Sequence, residues 1–339
     1  AVNLDAQDLN IANAPTKILI GKNITRGLGA GMNPEIGQKA AQENKDEISE
    51  ALKGSDMVFI TAGLGGGTGT GAAPVIAEIA RDLGALTIGV VTKPFSFEGM
   101  ARMRIAEDGW ALLREKVDAL ITISNDRLLS IIDRKTPLLE AFQKVDDVLH
   151  QGVQGISDLI TVPGIINVDF ADVRTIMQNS GSALMGIGTA SGEDRAIDAA
   201  KSAINSPLLD ISIDGARGVL FNVSGGADLA MSEIAEAAKI ITASIDPNAK
   251  VIFGAVQDDT LKKGEIKVTV IAAGFNNPAT KVSATQSPVT FFGTTNGGNG
   301  NYNKKEDPIM PEKSVPEVVD ATVEEDEFEI PAFIRRKMK

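Results

Sequence analysis

The chain has 339 residues, 43% of them hydrophobic and 23% charged, which is enough for a sizeable core and about two domains on a loose length prior. It contains no cysteine, which excludes a disulfide framework and thiolate metal sites and fits a reducing compartment. The net charge of −12 argues against a general nucleic-acid binder, and no apolar run approaches the ~18–20 residues needed to span a bilayer. The opening AVNLDAQDLN has neither a basic n-region nor an apolar h-region, so no secretory signal is expected there.

From residue 17 to about 275 the sequence alternates strand-like and helix-like segments. Asp56–Thr61 reads as a strand that feeds GLGGGTGTGAAP at 63–74, where six of the first nine residues are glycine. Ala73–Leu83 has helical spacing, with Pro74 expected in its first turn. Ala85–Thr92 and Val117–Ser124 are apolar strands, and strands of this kind alternating with helices predict a parallel sheet covered on both faces. Pro137–Ile160 predicts a long helix with a wide apolar stripe, packed between two halves of the protein and ended by Pro163-Gly164. Phe170–Met177 predicts another helix, stopped at Asn179-Ser180-Gly181. Strands at Leu184–Thr189, Gly218–Val223, Val251–Val256 and Ile266–Ala273, with helices at Arg195–Asn205 and Leu229–Ser244, make a second, smaller α/β unit.

At Asn276 the composition turns to Asn, Gly, Thr, Pro, Ser and Lys. Such a segment cannot bury enough apolar surface to offset its ordering entropy. A disordered linker is expected, with a mean reach of roughly 40 Å. It ends in an acidic run at Glu324–Glu327, an apolar cluster of Phe328, Ile330, Phe333 and Ile334, and a basic terminus at Arg335, Arg336, Lys337 and Lys339.

A strand that passes through glycines into a helix lets backbone N–H groups converge on an anion, and the missing Cβ atoms permit close approach. A Walker A loop is excluded, because Ala72 stands where its lysine is required. Gly67, Gly69 and Ala72 fit the loose dinucleotide pattern, but the next strand ends Val91-Thr92-Lys93 without a ribose-binding acid. A tightly packed glycine turn without a ligand is the third reading. Asp169 and Asp172 stand three apart at a predicted helix start and project to one side. By themselves they are also what any helix dipole favours in its first turn.

GGGTGTG at Gly65–Gly71 resembles the signature of the tubulin/FtsZ superfamily of GTPases. Further motifs narrow the resemblance to the FtsZ family of bacterial cell-division proteins. They are Asn3-Leu4-Asp5-Ala6-Gln7, Gly27 to Pro34, Phe97-Glu98-Gly99 with Arg102, Asn125-Asp126, Ala141-Phe142 with Asp146, Asn167 to Val173, and the terminal Ile330 to Arg336. The resemblance covers 1–275 nearly continuously and returns at the last dozen residues. It implies an α/β fold: a Rossmann-like GTP-binding domain at 1–136, a central core helix at 137–164 and a C-terminal α/β domain at 165–275. A disordered linker at 276–325 and a partner-docking peptide at 326–339 would follow. It also implies a first strand, glycine loop and helix ahead of residue 1, so the chain reads as N-terminally truncated.

What the resemblance implies about roles is specific. Gly65, Gly66, Gly67, Thr68, Gly69, Thr70 and Gly71 would hold the GTP phosphates, with Ala30 and Gly31 near the γ-phosphate. Glu98 and Arg102 would contact ribose and phosphates. Asn125 and Asp146 would read the guanine edge, and Phe142 would stack on the base. Asn167, Asp169 and Asp172 would complete the active site of a neighbouring subunit, with Mg²⁺ accompanying the nucleotide. The product would be a head-to-tail homopolymer forming the division ring in the cytoplasm beneath the membrane. Its tethers and regulators would dock on Ile330, Pro331, Phe333, Ile334, Arg335 and Arg336. Met100 and Ala101 stand where basic residues are usual, and Ser124 where proline is common. The only histidine, His150, is expected in a surface or packing role. The alternative is a nucleotide-binding regulator of the same superfamily that does not polymerise. Retention of both acids and of the tail favours the polymerising GTPase. An NAD-dependent enzyme lacks the ribose acid and a catalytic histidine.

Overall fold

The computed structural model describes residues 1–129, 136–162, 164–206, 209, 212–258 and 261–275. Strands β1 (Val2–Asn3) and β2 (Ile18–Leu19) pair in parallel around α1 (Ala6–Ile11), whose first N–H groups are capped by Asp5. Helices α2 (Lys22–Thr25), α3 (Pro34–Glu43) and α4 (Lys45–Leu52) follow. Asn33 caps α3 and Pro34 takes its first position, where the missing N–H does no harm. Next come β3 (Met57–Gly63), α5 (Gly67–Asp82), β4 (Leu86–Lys93), a 3₁₀ turn at Ser96–Glu98 and α6 (Met100–Lys116). Then β5 (Ala119–Ser124), α7 (Asn125–Leu129), α8 (Leu138–Thr161) and α9 (Phe170–Met177) lead into the second half. That half contains β6 (Gly181–Ser191), α10 (Arg195–Ile204), β7 (Gly218–Gly225), α11 (Met231–Ala243), β8 (Lys250–Gln257) and β9 (Glu265–Ala273).

The main sheet has seven strands in the order β3-β4-β5-β6-β9-β7-β8. The apolar runs behave as expected: β7 is buried throughout, and β4 at all but its last residue. The β5–β6 junction is short, from Ala119 opposite Gly181 to Ile121 opposite Ala183. Strand β9 is antiparallel to both its neighbours, β6 and β7. Residues 258–264 between β8 and β9 are too few for a parallel crossover, which needs about a dozen. Strand β9 therefore runs opposite to β8, on the other side of β7.

Helix α8 crosses this sheet. Its 24 residues span roughly 36 Å. At its middle Gly152 faces Met185 of β6, then Gly155 faces Thr269 of β9, and Leu159 lies over Gly254 of β8. Ile156 and Leu159 share one apolar core with Ile88 and Val90 of β4 and with Leu220 and Ile271 of the second half. From Val145 to Ile160 the apolar stripe packs into the core shared by both halves, whereas Leu139 near the start of the helix is exposed.

One local expectation is corrected. Helix α5 starts at Gly67 rather than near Ala73, so Pro74 lies inside the helix and not in its first turn. The glycines that were expected to form a loop wind the first turns of the helix. Helix α6 and the elements before residue 53 are not among the predicted elements. The linker at 276–325 and the docking peptide at 326–339, with Ile330, Pro331, Phe333, Ile334, Arg335 and Arg336, lie outside the described residues. No helix among the described residues is long and apolar enough to cross a membrane.

Candidate functional site

Strands β3, β4 and β5 are parallel and in register at their ends, with Gly63 opposite Thr92 and Lys93 opposite Ser124. The segments leaving them, 64–66, 94–99 and Asn125, therefore emerge at one edge of the sheet. Leu64 N–H donates to the Thr92 carbonyl at 2.9 Å, and Gly65 N–H donates to the buried Thr70 hydroxyl at 2.9 Å. The second bond folds the glycine run back on the helix it starts. Gly65 has φ +99°, and a Cβ there would lie 2.8 Å from Arg102 Cγ, so the run and Arg102 are in contact. Gly67 N–H donates to the Gly31 carbonyl at 2.6 Å, which brings the 30–31 turn alongside.

The glycines divide into two kinds. A Cβ at Gly67 would meet the Asn33 carbonyl at 2.7 Å, one at Gly69 would meet the Gly63 carbonyl at 2.7 Å, and one at Gly71 would collide with the Pro34 carbonyl. These three let α3 and the end of β3 pack directly on the backbone of α5. Gly66 has open space where its side chain would be. No side chain caps α5, so its first-turn N–H groups at Gly66, Thr68 and Gly69 have no helical partner. They present the positive end of a 16-residue helix.

Around this edge, Glu98 accepts the Phe95 N–H at 2.8 Å and pairs with Arg102 Nε at 3.1 Å. Asp126 accepts from both the N–H and the hydroxyl of Ser96, tying the 94–99 segment to α7. Asn125 is 8% exposed, and its Oδ1 is buried without a hydrogen-bond partner. A buried polar atom left in this way costs free energy unless a ligand or water completes it. An orphaned acceptor and an uncapped helix start fit a polar, anionic molecule such as a nucleotide.

The remaining expected residues sit elsewhere. Asp146 is exposed on α8, one turn after Phe142, whose side chain is outside the described ones. Beyond the far end of α8, Asn167 accepts the Gly164 N–H at 2.7 Å, and Asp169 caps α9 by accepting the Asp172 N–H at 2.9 Å. Ile165 and Ile166 bond to Ala255 of β8. Arg174, one turn on in α9, lies 3.4 Å from the carbonyl of Asp56, which precedes β3, whereas the glycine run follows β3. Seven residues of strand separate those two levels by roughly 20 Å. Within one chain, then, Ala30, Gly31, the glycine run, Glu98, Arg102 and Asn125 come together, and Asn167, Asp169 and Asp172 do not join them. Sequence reasoning missed Thr70 as the pin for Gly65 and Asp126 as the loop anchor. The Asn33-Pro34 cap that places α3 was a usable signal.

Residues 1–133 match the GTPase domain of the tubulin/FtsZ family, and residues 181–276 match the C-terminal domain of the FtsZ family. An FtsZ from M. jannaschii, solved as an empty dimer, is 50% identical, with 81% of this chain and 79% of that one covered and a TM-score of 0.78. The chain belongs to the FtsZ family. It is a tubulin-like GTPase, and the nucleotides of this family are GTP and GDP. Two proteins of Haloferax volcanii share the fold at lower identity. CetZ1, a GDP-bound monomer, is 23% identical over 82% of this chain and 84% of its own, with a TM-score of 0.70. CetZ2, a GTPγS-bound protofilament, is 22% identical over 80% and 82%, with a TM-score of 0.67.

Proposed function

We propose that the chain binds GTP at the glycine run and hydrolyses it when a second copy docks head to tail. The docking copy supplies Asn167, Asp169 and Asp172. The observation that supports this reading is their separation from the glycine run by the length of β3. Gly66, Thr68 and Gly69 N–H groups meet the phosphates, Arg102 neutralises charge beside them, and the Asn125 Oδ1 accepts from a guanine N–H. The incoming carboxylates orient the attacking water, since positioning and electrostatics carry most of phosphoryl transfer. Mg²⁺ accompanies the triphosphate and offsets its charge. The Thr68 hydroxyl, at the start of α5, would be at hand to hold that ion beside the phosphates.

A contact of unlike faces does not close on itself and grows into open filaments. In this reading the filament is the scaffold of the division ring, tethered by proteins that grip the peptide at 326–339. The M. jannaschii FtsZ dimer supports self-association. The test is GTP turnover per subunit against protein concentration. A rate that climbs with concentration, and is lost in Asp172→Ala, agrees with a shared site. A rate flat from dilute to saturating protein sinks it and favours the non-polymerising regulator. Deletion of 326–339 is expected to abolish capture of a membrane tether without changing turnover.

A further inference from the structure

Helix α9, which carries Asp172 and is capped by Asp169, is fixed at its two ends by different parts of the sheet. Its entry is held by β8, through Ile165 N–H to the Ala255 carbonyl at 2.8 Å. Its exit is held by the starts of β4 and β5, and the centre of that attachment is Asp118. This residue is 6% exposed and precedes β5. One carboxylate oxygen accepts Thr87 N–H at 2.9 Å, and the other accepts Asn179 N–H at 3.3 Å, two residues beyond α9. The Asp118 N–H donates to the Thr87 carbonyl at 2.8 Å, and its own carbonyl accepts Gly181 N–H at 3.0 Å. Arg81 reinforces the same turn from the surface, reaching the Asn179 side-chain oxygen at 3.4 Å and the Glu115 carbonyl at 3.2 Å.

We infer that Asp118 is a positioning residue for Asp169 and Asp172, a clamp that locks the acid-bearing helix to the sheet that holds the chain's own nucleotide. The inference rests on the shared-site reading above. A buried carboxylate is costly unless its oxygens are used. Here both are used at once by N–H groups from two separate elements. Asparagine has the same size but one acceptor oxygen, so its NH₂ would face one of those donors. Without the clamp the exit of α9 keeps its buried Val173, Ile176 and Met177 and the Arg174 contact with the Asp56 carbonyl, but it loses the side-chain tie to β4 and β5, and its acids can shift. A displacement of about 1 Å is enough to cost on the order of a hundredfold in rate.

The test uses the full 339-residue chain, with Asp118→Asn, Arg81→Gln and Asp172→Ala. For Asp118→Asn, kcat per assembled subunit is expected to fall at least about tenfold with KM for GTP within about twofold. The amides of 171–179 should exchange at least about tenfold faster while those of β3 are unchanged. Arg81→Gln loosens the same turn from an exposed position and keeps the fold. It should move both readouts the same way by about two- to threefold. Unchanged kcat in Asp118→Asn, kcat and KM failing together, or unaltered exchange in α9 overturns the clamp. Should Asp118→Asn not fold, unaltered α9 exchange in Arg81→Gln does so. Undiminished turnover in Asp172→Ala overturns the shared-site reading itself. An inactive Asp172→Ala beside a fully active Asp118→Asn overturns the clamp alone.

Discussion

Helices α5 and α9 both begin after a turn-rich segment, yet their first turns are completed in opposite ways. At α5 the N-cap is Gly66, no side chain reaches the free N–H groups, and the space beside the cap is open. At α9 the N-cap is Asp169, whose carboxylate already occupies the Asp172 N–H. A helix start with unmet donors attracts an anion, and one that carries its own carboxylates repels it. In the proposed reading the two ends are complementary: one would receive a phosphate and the other would bring acid groups to it.

The largest test exchanges the two designs. Gly66→Asp would give α5 the cap that α9 has, with room for the side chain. Nucleotide affinity is expected to fall by more than about a hundredfold, read by equilibrium binding. The unliganded protein should be unchanged or more stable by up to about 1 kcal/mol in urea unfolding. Tight GTP binding in this variant would remove the uncapped helix start as the phosphate site. Next comes Gly71→Ala, which drives a methyl group into the Pro34 carbonyl. A loss of about 1–3 kcal/mol in unfolding free energy is expected. Gly66→Ala, in open space, should lose well under about 1 kcal/mol. Equal losses at the two positions would erase the division between packing and open glycines.

Asp169→Ala removes a cap as well as a charge and should cost about 1 kcal/mol of stability, whereas Asp169→Asn keeps the capping oxygen and should cost only a few tenths. Both should depress turnover, because the charge is lost in each. A third helix start supplies the smallest effect, through pH. Glu233 accepts the Ala230 N–H at the start of α11 and is gripped by the buried Arg195, which also pairs with Asp228. The hydrogen bonds from Arg195 hold the carboxyl groups of Glu233 and Asp228 below their ordinary values. The stability they contribute is thus full above the ordinary carboxylate range and is lost as pH falls through the lowered values. The thermal midpoint of the parent chain should drop more steeply in acid than that of Arg195→Met.

Much of this arrangement was legible along the chain. The apolar runs at β4, β5 and β7 mark strands because a sheet covered on both faces leaves them no polar side. Phe170–Met177 was readable as a helix because its apolar positions follow the helical period and Asn179-Ser180-Gly181 stops it; that Asp169 caps it was seen only in the structure. The start of α5 was not legible. Glycine is a poor helix former, and only the close approach of α3 makes a glycine helix worth forming there. Nor could the antiparallel return of β9 be read from its own residues, since its alternation is the same in either direction. The length of the preceding connection held that signal.

The sequence by itself marked the glycine run, by its position between a strand and a helix, as a place for an anion; Asn125, Arg102 and the two acids were named through the family resemblance. It also determined that a long apolar helix must lie between the two sets. Only the tertiary structure decided that the sets cannot meet within one chain. That fact depends on α9 being held beside Asp56 at the start of β3, while the glycine run leaves its end, and on Asp118, Thr87 and Asn179 meeting at the same starting edge of the strands. Distances of this kind arise from how elements pack, and residues 61 positions apart, such as Asp118 and Asn179, leave no trace of their contact in local pattern.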